Sequence, residues 1–407
     1  MEGKTVVVLG GGVGGLTTAN ELRARLGSEH RIVLVERQQA HLFAPSLLWL
    51  MTGDRRRDQV SHDLRSLLRA GIELVQAEVR HIEPDRKTVV MTAGHDELRY
   101  DALVVALGAD LAPESFPGYA EAAHNVFDLE GAARLAETLR AFPGGRVLVA
   151  VTTLPYKCPA APYEAALLIE AALRRRGVRS RSAIALYTPE PQPMPVAGPV
   201  LGAAVSKLLA ERGIALNTTR PLASIDAAAR ELVFTDNTRE RFDLLAAVPP
   251  HRSPEVVRRS PLANESGWIP VDAGTLRTRF DDVYAIGDVT TITLANGKPL
   301  PKAGVFAHAE ARVVAREVAA SFGGAPARTF DGNGYCWVEL GDGRAAFAEG
   351  DFYALPAPAI RLRTPASYWH LGKVLFERSW IGSPLERAAA TLGLRFGAAM
   401  MGIKAPI

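Results

Sequence analysis

The chain has 407 residues, 48% of them apolar, which is enough for two or three cored domains. A formal net charge of +3 excludes the basic stripe of a nucleic-acid binder, and the short Arg runs near 54–57 and 174–176 read as solvated faces. The two cysteines, Cys158 and Cys336, are too few for a disulfide scaffold and too far apart in sequence for a CxxC metal site, so no metal is expected.

"KTVVVLGGGVGGLTTANELRARLG" predicts a strand over Val6–Leu9, a glycine turn and a helix ending at Gly27. "RIVLVER" predicts the next strand, ending in Glu36, and completes a βαβ unit. No apolar run reaches the roughly 18–20 residues of a membrane-spanning helix, and the first strand begins too early for a signal peptide to precede it. The expected location is cytoplasmic and peripheral to a membrane, or periplasmic if a leader has been removed. A strand over 102–109 follows, then an aperiodic Pro/Gly-bearing stretch that predicts a crossover near 110–118.

From Gly144 the pattern repeats, with a strand over 146–151, a turn, a helix over 160–176 and the strand "SAIALYTPE". This reads as a degenerate duplication of the first βαβ unit, running on to the strand "LLAAVPP". A second crossover is predicted near 252–270, after which "LRTRFDDVYAIGDV" and the helix "PKAGVFAHAEARVVAREVAASF" return to the first domain. The segment 328–407 predicts a hairpin around Gly-Asp-Gly, then a linker and amphipathic helices. The last of these is apolar with Arg387, Arg395 and Lys404 and suits either its own protein or a membrane interface. The predicted fold class is α/β, with two Rossmann-like dinucleotide-binding domains and a C-terminal α+β segment. The expected domains are 1–112 with 265–327 for FAD, 113–264 as a degenerate NAD-like domain, and 328–407.

Gly10, Gly12 and Gly15 form G-x-G-x-x-G after a strand and at the start of a helix, with Gly14 inside the motif. Glycines there admit a pyrophosphate to the helix N-terminus. Glu36, followed by Arg37, is placed for the adenosine ribose. Gly287-Asp288 in "VYAIGDV" resembles the second FAD fingerprint of two-dinucleotide-domain flavoproteins. Gly108 in "ALVVALGA" resembles the motif joining FAD to the next domain, so the expected cofactor is FAD. The second unit has "VTTLPYKCP" in place of a three-glycine turn, which predicts loss of a pyridine-nucleotide site. Cys158, ahead of Pro159, is expected at a helix N-terminus beside Lys157, where a thiol becomes reactive. Cys336 in "NGYCWVEL" is its candidate redox partner: a small nucleophile would open a disulfide between them, and the freed thiolate would reduce the flavin.

These segments, with "HLFAPSLLWLMTGDRR", "KCPAAPYEAA", "LPKAGVFAHAEA" and "GKVLFER", resemble the sulfide:quinone oxidoreductases and the flavoprotein subunits of flavocytochrome c sulfide dehydrogenase over almost the whole chain. The resemblance implies sulfide oxidation at Cys158 and Cys336, with Cys336 as the flavin-side thiol and Glu164 as a base. It also implies that Pro45 and Ser46 line the flavin ring. Lys302, Ala303 and Gly304 open a helix facing its pyrimidine end, and Lys373 and Phe376 stand at the quinone end. A third cysteine found in many of the quinone enzymes has no counterpart around "AAHNVFDLEGAA". The expected partners are sulfide, quinone and a membrane surface, with no nucleic acid. Three other readings stay open: cytochrome c as acceptor, a type II NADH:quinone reductase, and a non-catalytic FAD-binding protein.

Overall fold

A computed structural model describes residues 3–92, 97–326 and 328–403; Lys404 lies outside the described residues. By contacts the chain divides into two units. The first holds residues up to His41, His62–Asp110 and Arg252–Gly332; the second holds Leu42–Ser61, Leu111–His251 and the residues from Asn333 on. The sequence reading assigns 42–61 to the first domain and sets 328–407 apart, whereas the contacts gather 42–61 and the residues from Asn333 on into the second unit.

The first unit is built on a five-stranded parallel sheet in the order Val283–Ala285, Ala102–Val105, Thr5–Leu9, Arg31–Glu36, Ile72–Gln76. Its central strand is apolar without alternation because both faces are covered: Val6, Val7, Val8 and Leu9 are all fully buried. One face joins a core with Val33, Val35, Leu103 and Val105. The helix Val13–Arg25 follows the first strand and packs against the helix Gly304–Ser321. Each fully buried Val or Leu contributes about 1.5–3 kcal/mol.

The second unit repeats the plan. Its parallel sheet runs His124–Asn125, Leu244–Val248, Gly145–Val151, Ser182–Tyr187, Ile214–Asn217. The first strand of each βαβ unit is central in its sheet and its successors lie on the same side, as a duplication requires. The helix Ala161–Arg175 is buried at every position from Ala161 to Leu173. It packs on the parallel sheet and also on the strand Asn333–Gly341, so it lacks a solvent face, and any carboxylate it carries needs a partner.

The predicted hairpin is present as Asn333–Gly341 and Arg344–Asp351. A third antiparallel strand, Ala359–Ala366, lies in what reads from sequence as linker. The helices Ser367–Ile381 and Pro384–Met400 pack on each other. The second opens with a capping box: the Glu386 amide donates to the Ser383 hydroxyl, and the Ser383 amide donates to the Glu386 carboxylate at 2.9 Å. It buries Ala390 and Leu394 and exposes Leu385, Leu392, Phe396 and Met400 on one face. Among the described residues no helix is long and apolar enough to cross a membrane.

Candidate active site

In the first unit the residues expected to hold FAD gather at the ends of the parallel strands. Gly10 turns out of the first strand with φ +98°, and a Cβ there would stand 2.5 Å from the Ala106 carbonyl oxygen. At Gly15 a Cβ would lie 1.8 Å from the Gly10 oxygen, so helix and turn close only around a glycine. Gly12 is the N-cap of the helix Val13–Arg25, no side chain caps it, and the space beside it is open. The Glu36 carboxylate accepts from the Gly11 amide at 2.5 Å and from the Gln38 amide at 2.7 Å. It is thereby fixed at the end of its strand, while Arg37 is exposed and paired with Glu78 and Asp110. Gly108 lies three residues beyond the strand Ala102–Val105.

Gly287 and Asp288 form a short turn after the strand Val283–Ala285. The Gly287 amide donates to Glu310 at 2.6 Å, and burial raises that carboxyl to about 7. Lys302 donates to the carbonyls of Asp288 at 2.6 Å and Thr290 at 3.0 Å, with its Nζ 3.5 Å from the centre of the Trp268 ring; burial lowers it to about 8. Ala303 is the N-cap of the helix that begins at Gly304, and no side chain caps that end either. An open glycine turn, an anchored acid and uncapped helix N-termini fit a dinucleotide pyrophosphate and ribose. Gly12→Ser tests the fit: serine is a good N-cap, so apoprotein stability holds within about 0.5 kcal/mol or rises. Its side chain fills the open space, and the purified protein shows a lower flavin-to-protein absorbance ratio.

The second unit holds Pro45 and Ser46 in a short 3₁₀ turn, and it holds both cysteines. Its central strand ends at Val151 and its helix begins at Ala161, so nine residues without glycine replace the tight glycine turn. Cys158 stands ahead of the helix, two residues before its N-cap. The helix starts after Pro159, with Ala160 as N-cap and Pro162 in the first turn, because Cys158 adopts a left-handed conformation (φ +55°) that no helix continues. The Cys158 carbonyl still accepts from the Ala161 amide at 2.9 Å. Both cysteines are half-buried thiols.

Cys336 lies on the strand Asn333–Gly341. Burial pushes its thiol well above the usual range; the charges of Cys158 and Glu164 add to this, and the Lys373 ammonium opposes it. Glu164 and Lys373 form a buried ion pair at 2.6 Å, and the Glu339 amide also donates to Glu164, at 2.9 Å. Burial raises Glu164 against the pull of Lys373. Burial works to lower Lys373, but Glu164 and Glu339 outweigh it and hold the ammonium above its usual value. The Glu339 side chain pairs with His370 at 2.9 Å.

Three neighbours on one face of the helix Ser367–Ile381 are thus polar and partnered. His370 meets Glu339, Lys373 meets Glu164, and Glu377 takes Arg55 at 2.7 Å and Ser46 Oγ at 2.5 Å. Trp49 lies beneath two of the cations, 4.5 Å from the Arg55 guanidinium and 5.1 Å from Lys373 Nζ. Phe376 is half-buried among Phe43, Tyr335, Trp337 and Trp380. Sequence reasoning brings out Cys158, Cys336, Glu164 and Lys373. It misses Trp49, Arg55, Glu339, His370 and Glu377, although a glutamate between Val338 and Leu340 in an otherwise apolar strand was a visible signal.

The pyridine nucleotide-disulphide oxidoreductase family profile matches residues 4–311. The mitochondrial sulfide:quinone oxidoreductase of Mus musculus is 28% identical over 372 residues, covering 86% of this chain and 79% of that protein. The sulfide-quinone reductase of Aquifex aeolicus (strain VF5) is 28% identical over 402 residues, covering 93% and 90%. An X-ray structure of the sulfide:quinone oxidoreductase from the hyperthermophilic bacterium Aquifex aeolicus superposes with a TM-score of 0.81 at 24% identity, covering 92% of this chain and 90% of that one. With the glycine turn, the fixed Glu36 and the duplicated parallel sheets, these matches establish that the chain belongs to the pyridine nucleotide-disulphide oxidoreductase family and is an FAD-dependent oxidoreductase.

Proposed function

We propose that the protein oxidises sulfide at Cys158 and Cys336 and passes the electrons to a membrane quinone. The observation that carries this reading is the buried Glu164–Lys373 pair at 2.6 Å, in which Glu164 lies in the first turn of the helix after Cys158 and also accepts from the Glu339 amide on the strand that carries Cys336. The nine-residue turn that carries Cys158, in place of a glycine loop, supports sulfide over NADH as the electron source. The names of the curated relatives support the same pair of substrates.

In the oxidised state the two sulfurs share a bond. Hydrosulfide attacks the Cys158 sulfur, the S–S bond breaks, and Cys158 keeps the added sulfur and its proton as a persulfide. Cys336 leaves as a thiolate facing Lys373, whose charge offsets part of the cost of burying it. Its raised pKa makes Cys336 the slower thiol to leave, and, once freed, the stronger nucleophile. A second sulfur nucleophile takes the outer sulfur with its proton, and the two cysteine thiolates rejoin, giving up two electrons. Bound FAD supplies the two-electron acceptor for the cysteines and the donor to the quinone.

Gly10, Gly12, Gly14, Gly15, Glu36, Arg37, Gly108, Gly287, Asp288, Lys302, Ala303 and Gly304 are the residues proposed to hold FAD in the first unit. Glu164 accepts the proton that hydrosulfide formation releases, its carboxylate held in place by the Lys373 ammonium. Lys373 and Phe376 stand at the quinone end, and the exposed apolar face of the helix Pro384–Met400 suits a membrane interface.

Anaerobic titration tests this. Sulfide bleaches the flavin, NADH does not, and a soluble quinone analogue restores the oxidised spectrum. Flavin that stays oxidised under sulfide, or bleaches with NADH, overturns the reading. Reoxidation by cytochrome c but not by quinone assigns the other acceptor.

A further inference from the structure

Another buried carboxylate in the second unit has no part in the steps above. Glu190 follows the strand Ser182–Tyr187 and is 4% exposed. Its Oε2 accepts from the Tyr163 hydroxyl at 2.6 Å, the Tyr156 hydroxyl at 2.9 Å and the Thr188 hydroxyl at 3.3 Å. The segment is itself fixed, since the Glu190 amide donates to Thr188 Oγ1 at 3.2 Å and the Glu190 carbonyl accepts from the Thr219 amide at 2.9 Å. Both tyrosines are buried, Tyr163 completely.

The positions of those tyrosines give the arrangement its meaning. Tyr156 stands two residues before Cys158 and Tyr163 stands in the first turn of the helix after it. The Tyr156 hydroxyl also lies 3.3 Å from the carbonyl of Pro159, the residue next to the cysteine. One carboxylate oxygen therefore ties both ends of the turn to a neighbouring strand. Cys158 holds a left-handed conformation, which a non-glycine residue keeps only where its surroundings enforce it. A helix packed on every side and a strand-anchored carboxylate supply that enforcement.

We infer that Glu190, through Tyr156 and Tyr163, is a positioning residue that holds the Cys158 turn in its reactive geometry. The inference rests on the reading that Cys158 is the sulfur attacked by sulfide. It gives the Tyr-x-Cys and Pro-Tyr spacings around Cys158 a physical purpose: a phenol on each side of the cysteine can share one acceptor only when the turn is folded as observed. Burial pushes the Glu190 carboxyl up and the three hydroxyls pull it back, as expected of an acceptor built into the core.

The test separates the two half-reactions of the purified holoenzyme. In Glu190→Gln, anaerobic bleaching of the flavin at saturating sulfide slows about 10- to 100-fold, the cost of a displacement near 1 Å. Flavin content stays at the wild-type level, as does the rate at which dithionite-reduced enzyme is reoxidised by a quinone analogue. Tyr156→Phe and Tyr163→Phe each slow bleaching by a smaller factor and leave reoxidation unchanged; they carry the test by the same criteria if Glu190→Gln does not fold. Bleaching at the wild-type rate, or equal slowing of both half-reactions, overturns the positioning role. Cys158→Ser separates the two claims. Wild-type bleaching in that variant overturns the cysteine reading and this inference with it. Loss of bleaching there, together with wild-type bleaching in Glu190→Gln, overturns the role of Glu190 alone.

Discussion

Replacing Cys336 by alanine leaves the flavin oxidised when sulfide is added without oxygen, with a bleaching rate at least about 10³-fold below wild type, as expected when one member of a reacting unit is removed. Cys158→Ala gives the same loss, and the double variant is no slower than either single one, because in the proposed reaction the two sulfurs act in one bond-making and bond-breaking sequence. FAD content is unchanged in all three, since Gly10, Gly12, Gly15, Glu36, Gly287 and Asp288, which are proposed to hold it, belong to the first unit. Stopped-flow absorbance reads the rate and the absorbance ratio reads the content. A Cys336→Ala enzyme that bleaches at the wild-type rate refutes the cysteine mechanism and leaves only the FAD assignment standing.

Lys373→Met is the second large effect, and it falls on stability. The substitution leaves Glu164 buried at the centre of the unit without its ammonium, and breaking such a pair costs about 3–5 kcal/mol. The loss depends on pH in a definite direction. Burial already raises Glu164, and without Lys373 its folded-state pKa rises further above its unfolded value. The folded state then holds the extra proton, so stability is present below the unfolded pKa and is lost as pH rises through the folded one. Thermal unfolding of Lys373→Met against wild type shows a larger deficit at pH 8 than at pH 5. Glu164→Gln together with Lys373→Met recovers most of the deficit, because neither partner is then left as a lone buried charge. Equal deficits at both pH values would show that Lys373 contributes packing alone.

The parallel sheets, the glycine turn, the acid ending the second strand and the Gly-Asp turn before the long helix are legible in the sequence because each is local. A β-branched run, a glycine forced by a 1.8 Å approach and a carboxylate at a strand end leave their mark within a few residues. The site of the second unit is legible only in its parts. Glu164 and Lys373 stand 209 residues apart and Ser46 and Glu377 stand 331 apart, and no periodicity announces such a pair. The helix Ala161–Arg175 hides its charges because it is buried all round, so the polar stripe that usually marks a helix face is missing. The conformation of Cys158 escapes for a related reason. A cysteine before a proline reads as a helix start, and only the anchoring of the tyrosines on each side holds it left-handed instead. The strand Ala359–Ala366 escapes because Pro365 lies within it, which argues against a strand, and because it lies on the outer edge of its sheet.

The helix Ser367–Ile381 carries His370, Lys373 and Glu377 on one face, each matched to a counter-group on a different segment. Turning that helix by one residue, about 100° about its axis, would strand a cation and an anion together in an apolar interior, along with a histidine cut off from its glutamate. An aromatic surface such as that of Phe347, Trp369 and Phe376 tolerates many seatings at similar cost. Polar matches at three successive turns tolerate one. The charges therefore work as a key cut for a single lock, so Cys336 and Phe376 meet their surroundings in the same alignment each time the chain folds.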